Sequence, residues 1–386
     1  MKSFIRILKW TSYSLIVLIV IILSDTFLRR YTFLNLPDVY DYKKLPVRVV
    51  EKGSNSTNFP VKTPETGLSN IFPLTYYEHD IKKISDLDTL LKSNYSTAFI
   101  IIRNDTILYE KYFNGHNRDT YCKCFSASKN VISALIGIAI DEKLIHSVND
   151  PVTKYLPDFK DNKYLSAVTI KNCLSGTAGF PANDGGAYPW HDNVKVYYNN
   201  NHPKLLSGLK WEFQPGSQFR AEEYSSCLLS LVLEKATNMT VSEYLSEKIW
   251  KPAGMEYDAL WVLDGKKSGH EVAMSGLTAR PVDFAKFACM YLNNGNWNGN
   301  EIVSENWIKN STRPDSTLLS NWKGGYYNST WWGTLKEKDI YEYSANGHFA
   351  QRIYISPYKN AVVVRFGTKT GNMNWSEFIS TIIEKL

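Results

Sequence analysis

Ser126 and Lys129 stand three residues apart in the run Phe125-Ser126-Ala127-Ser128-Lys129. Positions i and i+3 of a helix share a face, so a hydroxyl and an ammonium at this spacing can meet. Serine becomes a nucleophile once a neighbouring base takes its proton. Lysine serves as that base when burial and nearby positive charge draw its pKa toward neutrality. The start of a helix also points backbone N–H groups at a carbonyl oxygen gaining charge during attack. The pattern therefore reads as covalent acyl transfer, with Ser126 as nucleophile and Lys129 as base. The purely structural alternative makes Ser126 a helix cap and lets Lys129 reach solvent. The setting favours chemistry: Val131, Leu135, Ile136 and Ile140 make the helix behind Lys129 strongly apolar, and a lysine at the head of a buried helix is costly unless it has a use.

Elements on either side must position this pair. Ile81 to Leu91 carries apolar residues at helical spacing and reads as a first helix. Ala98–Arg103 and Ile107–Tyr112 read as strands joined by Asn104-Asp105, a hairpin turn. The helix from Ser126 to Lys143 follows, and another begins near Leu228. Gln351–Ile355 and Ala361–Arg365 form a second hairpin around Pro357-Tyr358-Lys359-Asn360, and Trp375–Lys385 reads as the last helix. Strands near both ends of the domain with a helical middle imply an α/β fold. One mostly antiparallel sheet is built from both ends and flanked by helices, with a mainly α-helical subdomain inserted.

The N-terminus reads as an export signal. Lys2, Arg6 and Lys9 precede a charge-free run from Trp10 to Ser24, which the positive-inside rule orients with its basic end in the cytoplasm. Residues 1–30 form a membrane anchor or a cleaved signal segment, residues 31–70, with Pro37, Pro46, Pro60 and Pro64, a linker, and residues 71–386 the globular domain. This predicts a single-pass protein whose domain lies outside the cytoplasm, or a secreted one if the segment is removed. The net charge of +6 is spread among acids rather than gathered in a stripe, so nucleic acid is not an expected partner. Five cysteines argue against a disulfide framework, and their spacing is not that of a zinc site.

Several segments together resemble the β-lactamase-related serine hydrolases, the superfamily of class C β-lactamases and penicillin-binding proteins. Within it they look most like the branch of 6-aminohexanoate-dimer hydrolases and esterases. Phe125–Lys129 resembles the nucleophile motif, and Cys173-Leu174-Ser175-Gly176-Thr177-Ala178-Gly179 the loop that follows. Glu243-Tyr244-Leu245 through Trp250–Met255, and Gly276-Leu277-Thr278-Ala279 with Asp283–Phe287, resemble two further family segments. Gly347-His348-Phe349-Ala350-Gln351 resembles the strand entry that faces the nucleophile. The resemblance implies a β-lactamase/transpeptidase-like fold and hydrolysis of small amides or esters through an acyl-enzyme, without metal or organic cofactor. It implies an oxyanion hole from the backbone N–H of Ser126 and one near His348, with Gly347 and His348 lining the substrate site. The His348 ring reads equally as a group that fixes its strand.

The sequence departs from the family pattern at one place. A catalytic tyrosine follows the Pro-Gly turn in the family, and without gaps its position falls on Ala221; Tyr224 comes one helical turn later. Tyr224 is the candidate third catalytic residue if the chain shifts locally, with Glu222 and Glu223 as alternative bases. Lys369-Thr370-Gly371 spells a β-lactamase motif but follows the final hairpin, so it reads as a surface turn. Asp184, beside Tyr188 and Trp190, is a candidate substrate-binding carboxylate for a free amine. The expected partner is a small amide, ester or peptide. The rival functions are a penicillin-binding-type peptidase for D-amino acids or muropeptides, and a catalytically silent, membrane-tethered binding protein.

Overall fold

The computed structural model describes residues 2–34, 36–62, 74–78, 81–183, 186, 188–314 and 324–386. Its main sheet has seven antiparallel strands. In spatial order they are Gly325–Asn328, Trp331–Glu337, Ile340–Gly347, Gln351–Ser356, Ala361–Gly367, Ser96–Arg103 and Thr106–Tyr112. The last long strand pairs with the first, Val364 opposite Ile100 and Val363 opposite Ile101. Alternation along these strands then sets two cores. Ile100, Ile102, Val362 and Val364 join the larger core. Phe99, Ile101 and Val363 join the smaller one, under the helices Leu87–Ser93 and Trp375–Lys385. Burial on both faces explains why these strands are near-continuous apolar runs. Asn104 and Asp105 adopt the positive φ their hairpin turn requires, +50° and +53°.

A second sheet runs in the order Val47–Val50, Ala259–Val262, Leu277–Ala279, Cys122–Lys123. It delivers the chain to Ser126, because Lys123 pairs with Thr278 and the Cys124 N–H donates to the Leu277 carbonyl, 3.1 Å. The helix Ser128–Asp141 behind it is buried from Val131 to Ala139 and packs against the helix Tyr224–Thr237. All five cysteines are buried free thiols.

Two expectations are corrected. The helix predicted over Ile81–Leu91 begins only at Leu87, capped by Asp86, whose side chain accepts from the Thr89 N–H; Ile81–Ser85 is a strand. The Asp86 carboxylate offers a cap where the apolar spacing alone suggested continuity. Much of the stretch expected as a linker is built into the domain: Val47–Val50 is a strand of the second sheet, Phe59 is buried, and Asp41 is 1% exposed. Its scattered prolines flank this strand rather than mark a free tether. The eight residues 63–70 lie outside the described residues.

The N-terminal residues form two helices. Lys2–Ser24 is one helix, yet among the described residues no single helix is long and apolar enough to cross a membrane. Lys9–Ser24 and Thr26–Phe33 meet the criterion only together, across a bend of 102°. The bend sits at Asp25, whose carboxylate caps the second helix through the Leu28 N–H, 2.8 Å. That second helix belongs to the domain. Phe27 and Tyr31 pack on the larger core, and Arg30 donates to the carbonyls of Tyr198, Asn199 and Asp264. The first helix leaves Phe4, Trp10, Leu15 and Ile19 exposed.

Candidate active site

Ser126 sits on a single helical turn, Phe125–Ala127, joined to the helix that starts at Ser128. Phe125, directly before it, holds φ at +49°. A bulky residue is strained in this left-handed region and stays there only where its surroundings fix it. Three contacts do so. The Phe125 ring lies edge-on to His348 at 5.6 Å and to Phe349 at 5.5 Å, and the Lys123 ammonium stands 4.6 Å over its face. Ser128 completes the clamp: its hydroxyl donates to the Phe125 carbonyl, 2.7 Å, and accepts from the Leu277 N–H, 3.1 Å. Ser126 itself is half-buried, and its hydroxyl has no hydrogen-bond partner among the described residues.

Gly347 brings the third strand of the main sheet against this turn. A Cβ at Gly347 would overlap the Cys124 carbonyl oxygen, so only glycine permits the approach. His348, Phe349 and Ala350 then turn outward, the last two at φ +58°. The buried Arg365 holds that turn by donating to the carbonyls of Phe349 and Ala350. His348 is exposed at its outer edge, but burial of the ring and then the Lys123 charge lower its pKa from the ordinary value. Gly347 and His348 thus meet the turn that carries Ser126. Lys369-Thr370-Gly371 does not: it forms the turn into the last helix, its carbonyls accepting from Arg365 and Trp375.

Lys129 is largely buried and does not bond Ser126. Its ammonium donates to the Glu222 carbonyl, 3.0 Å, and lies 2.8 Å from Glu223 Oε2. The second approach is off the hydrogen-bonding direction, leaving Oε2 buried without an aligned donor. Burial alone would lower the Lys129 pKa, but the Glu223 carboxylate outweighs it, with help from Tyr327, and the net shift is upward. Resting Lys129 is therefore charged. Glu222 is buried, its carboxylate accepting from the Ser225 N–H, and burial raises its pKa to about 7.

Tyr224 heads the helix Tyr224–Thr237, and its hydroxyl donates to Asp192 Oδ1 at 2.7 Å. The hydrogen bond and ion pair of Lys129 go to Glu222 and Glu223. The phenol that interacts with Lys129 is Tyr327, from the edge strand Gly325–Asn328, which burial pushes up to about 12. Tyr327, Lys129, Ala221 and Glu222 line one cavity of about 10 Å³, room for no more than about one water. Ala221 is exposed, and as alanine it carries no phenol into this cavity. Nothing in the sequence near Tyr327 singles it out, because it is nearly 200 residues from its partner. Asp184 lies outside the described residues; Tyr188 and Trp190 beside it are exposed and stacked, ring centroids 4.8 Å apart.

Known proteins resemble this chain over much of its length. The 6-aminohexanoate-dimer hydrolase of Paenarthrobacter ureafaciens is 23% identical over 304 residues, covering 74% of this chain and 76% of that protein. Penicillin-binding protein 4* of Bacillus subtilis is 30% identical over 125 residues, covering 32% of this chain and 27% of that protein. A Bacillus anthracis structure named for 6-aminohexanoate-dimer hydrolase superposes with a TM-score of 0.75 at 21% identity, covering 89% of this chain and 91% of that one. A penicillin-binding protein structure from Bacillus halodurans gives 0.63 at 16% identity, covering 78% and 99%. These two likenesses establish the β-lactamase/transpeptidase-like fold. Residues 88–376 match the Beta-lactamase family, and with most of its length in that match the chain belongs to this family of serine hydrolases, related to amide hydrolases and penicillin-binding proteins.

Proposed function

We propose that the chain is an extracytoplasmic serine hydrolase that cleaves small amides or esters through an acyl-enzyme on Ser126, with Lys129 as base. The observation that carries this reading is the placement of Ser126. Its hydroxyl is half-buried and unpartnered among the described residues, on a turn strained at Phe125, with Lys129 on the first turn of the same buried helix. With Lys129 in its neutral form, Ser126 Oγ bonds to the substrate carbonyl carbon as its proton passes to the lysine amine, which returns it to the leaving group. The carbonyl oxygen gains charge beside the backbone N–H of Ser126 and one near His348. The adduct expels an amine or alcohol, and water then cleaves the acyl ester and restores Ser126.

With Ala221 where the family has its tyrosine, activated esters suit the site better than amides, since their leaving groups depart without protonation. An amide substrate is supported by the relative named for a 6-aminohexanoate dimer, and Asp184 is assigned to a substrate amine. The exposed apolar helix Lys2–Ser24 supports a membrane anchor, with Lys2, Arg6 and Lys9 on the cytoplasmic side. One observation favours a silent binding protein instead: Glu223 keeps Lys129 charged.

Intact-mass analysis after exposure to a fluorophosphonate separates these readings. A single adduct that disappears in Ser126→Ala supports the hydrolase. No adduct in either protein gives the binding-protein reading the lead. Labelling of Ser126 by a fluorescent penicillin favours the peptidase.

A further inference from the structure

We propose that Glu223 is the proton-holding partner of Lys129, taking the lysine's proton when substrate closes the cleft so that the amine can act as base. The proposal rests on the reading of Ser126 as nucleophile and adds a residue to that site. Three observations carry it. Glu223 Oε2 is 2.8 Å from the Lys129 ammonium. It is buried yet accepts no aligned hydrogen bond, so a lone pair stays available to a proton. The neighbouring Ala221 is exposed and lines, with Lys129 and Glu222, a small cavity beside the ammonium.

Other titratable groups pack around the pair. Glu222 stands beside Glu223, Tyr327 comes from the edge strand, Cys173 lies on the helix Ile170–Leu174 and Cys227 on the helix of Tyr224. Burial raises the pKa of Tyr327, Cys173 and Cys227, so all three are neutral at pH 7. Of these neighbours Glu222, raised by burial to about 7, is the one that titrates near neutral pH.

The step balances. In the resting site the pair is an ammonium and a carboxylate. An acyl substrate seated over Ala221 and Ser126 expels water, and a dry site disfavours two separated charges relative to a neutral amine and carboxylic acid. One proton moves from Lys129 Nζ to Glu223. Lys129 then accepts the proton of Ser126 as Oγ bonds to the carbonyl carbon. When the adduct collapses, the carbon–leaving-group bond breaks, Lys129 passes the serine proton to the departing amine or alcohol, and the Glu223 acid returns its proton to Lys129. The pair returns to ammonium and carboxylate with the acyl group on Ser126.

Glu223→Gln decides the matter, because the two roles open to a carboxylate here predict opposite signs. If Glu223 holds the proton, the variant must shed the Lys129 proton to solvent. The rate of Ser126 labelling by a fluorophosphonate at pH 7 then falls about 100-fold and recovers about tenfold per pH unit toward alkaline pH. Wild type stays nearly flat over that range, and Glu223→Asp restores part of the rate. If Glu223 only keeps Lys129 charged, its removal frees the amine, and Glu223→Gln labels as fast as wild type or faster at pH 7. That result overturns the proposal, as does an equal loss at every pH. Wild-type protein that fails to label at Ser126 overturns the hydrolase reading and this inference with it, so the two failures are distinct.

Discussion

Asp41→Asn removes the carboxylate ion-paired with the Lys123 ammonium and leaves a buried cation behind. The Lys123 side chain is 0% exposed, and its ammonium lies 3.3 Å from Asp41 Oδ2 and also bonds the Tyr197 hydroxyl. At this separation two unit charges attract by about 5 kcal/mol at an effective dielectric constant of about 20. The lysine has an escape, since it can lose its proton. Bringing it from an ordinary pKa of about 10.4 to neutrality at pH 7 costs about 5 kcal/mol, which caps the penalty. Broken buried pairs lose about 3–5 kcal/mol, so that range is expected. The sign with pH follows. Burial already lowers the Lys123 pKa and Asp41 opposes this. Without Asp41 the unfolded chain binds more protons than the folded one below about pH 10, so the deficit shrinks as pH rises.

Urea unfolding of the full chain in mild detergent, followed by tryptophan fluorescence, measures the loss. Lys123→Met serves as the second arm, because a buried pair replaced by apolar side chains of similar size is often neutral in stability. The double variant Asp41→Asn/Lys123→Met should recover most of what Asp41→Asn loses. The same cluster bears on chemistry, since Lys123 lies over the Phe125 ring ahead of Ser126. Slower Ser126 labelling should therefore accompany the stability loss. A loss below about 1 kcal/mol, the range of exposed pairs, or no recovery in the double variant, would refute the docking of residues 38–45 on the nucleophile strand.

Two further outcomes follow. Gly347→Ala places a Cβ on the Cys124 carbonyl, so the strand must retreat from the nucleophile turn; fluorophosphonate labelling should slow by at least about tenfold, and an unchanged rate would mean the strand entry does not position Ser126. Glu222 has its folded pKa raised to about 7 from 4.5, so its contribution to stability is complete below about pH 4.5 and is lost as pH rises through 7. Glu222→Gln should become more stable than wild type across that window, by about 3 kcal/mol at its upper end. Parallel stability curves for the two proteins would refute a buried, proton-holding Glu222.

Much of the sheet was legible because its strands are local patterns with local punctuation. Ala98–Arg103 and Ala361–Arg365 are apolar runs ended by turn residues, and both lie within the observed strands. The helix Trp375–Lys385 coincides with its prediction. The helical setting of Ser126 and Lys129 was readable for a similar reason, since both lie in one local stretch. The errors arose where a segment takes its conformation from distant partners. Val47–Val50 is a strand because Ala259–Val262 lies beside it, and nothing within residues 31–70 announces that edge. Asp41 resembles any surface acid until Lys123 and Tyr197 converge on it.

The same reasoning explains the third catalytic position. The sequence offered Tyr224 by residue type and Glu222 and Glu223 by place, and type and place disagreed. Residue type fails because Tyr224 lies one turn along the helix, where its hydroxyl reaches Asp192. Place prevails because the chain after the Pro215-Gly216 turn enters the site at the level of Lys129, whatever side chains it carries there. Ala221 then leaves space, and Glu223 brings a carboxylate to a buried ammonium that needs a counter-charge. A phenol at this place would leave the lysine free to lose its proton, whereas a carboxylate charges it. On the proposed reading the carboxylate also takes the proton back, and the acid–base cycle then belongs to the Lys129–Glu223 pair rather than to either residue alone.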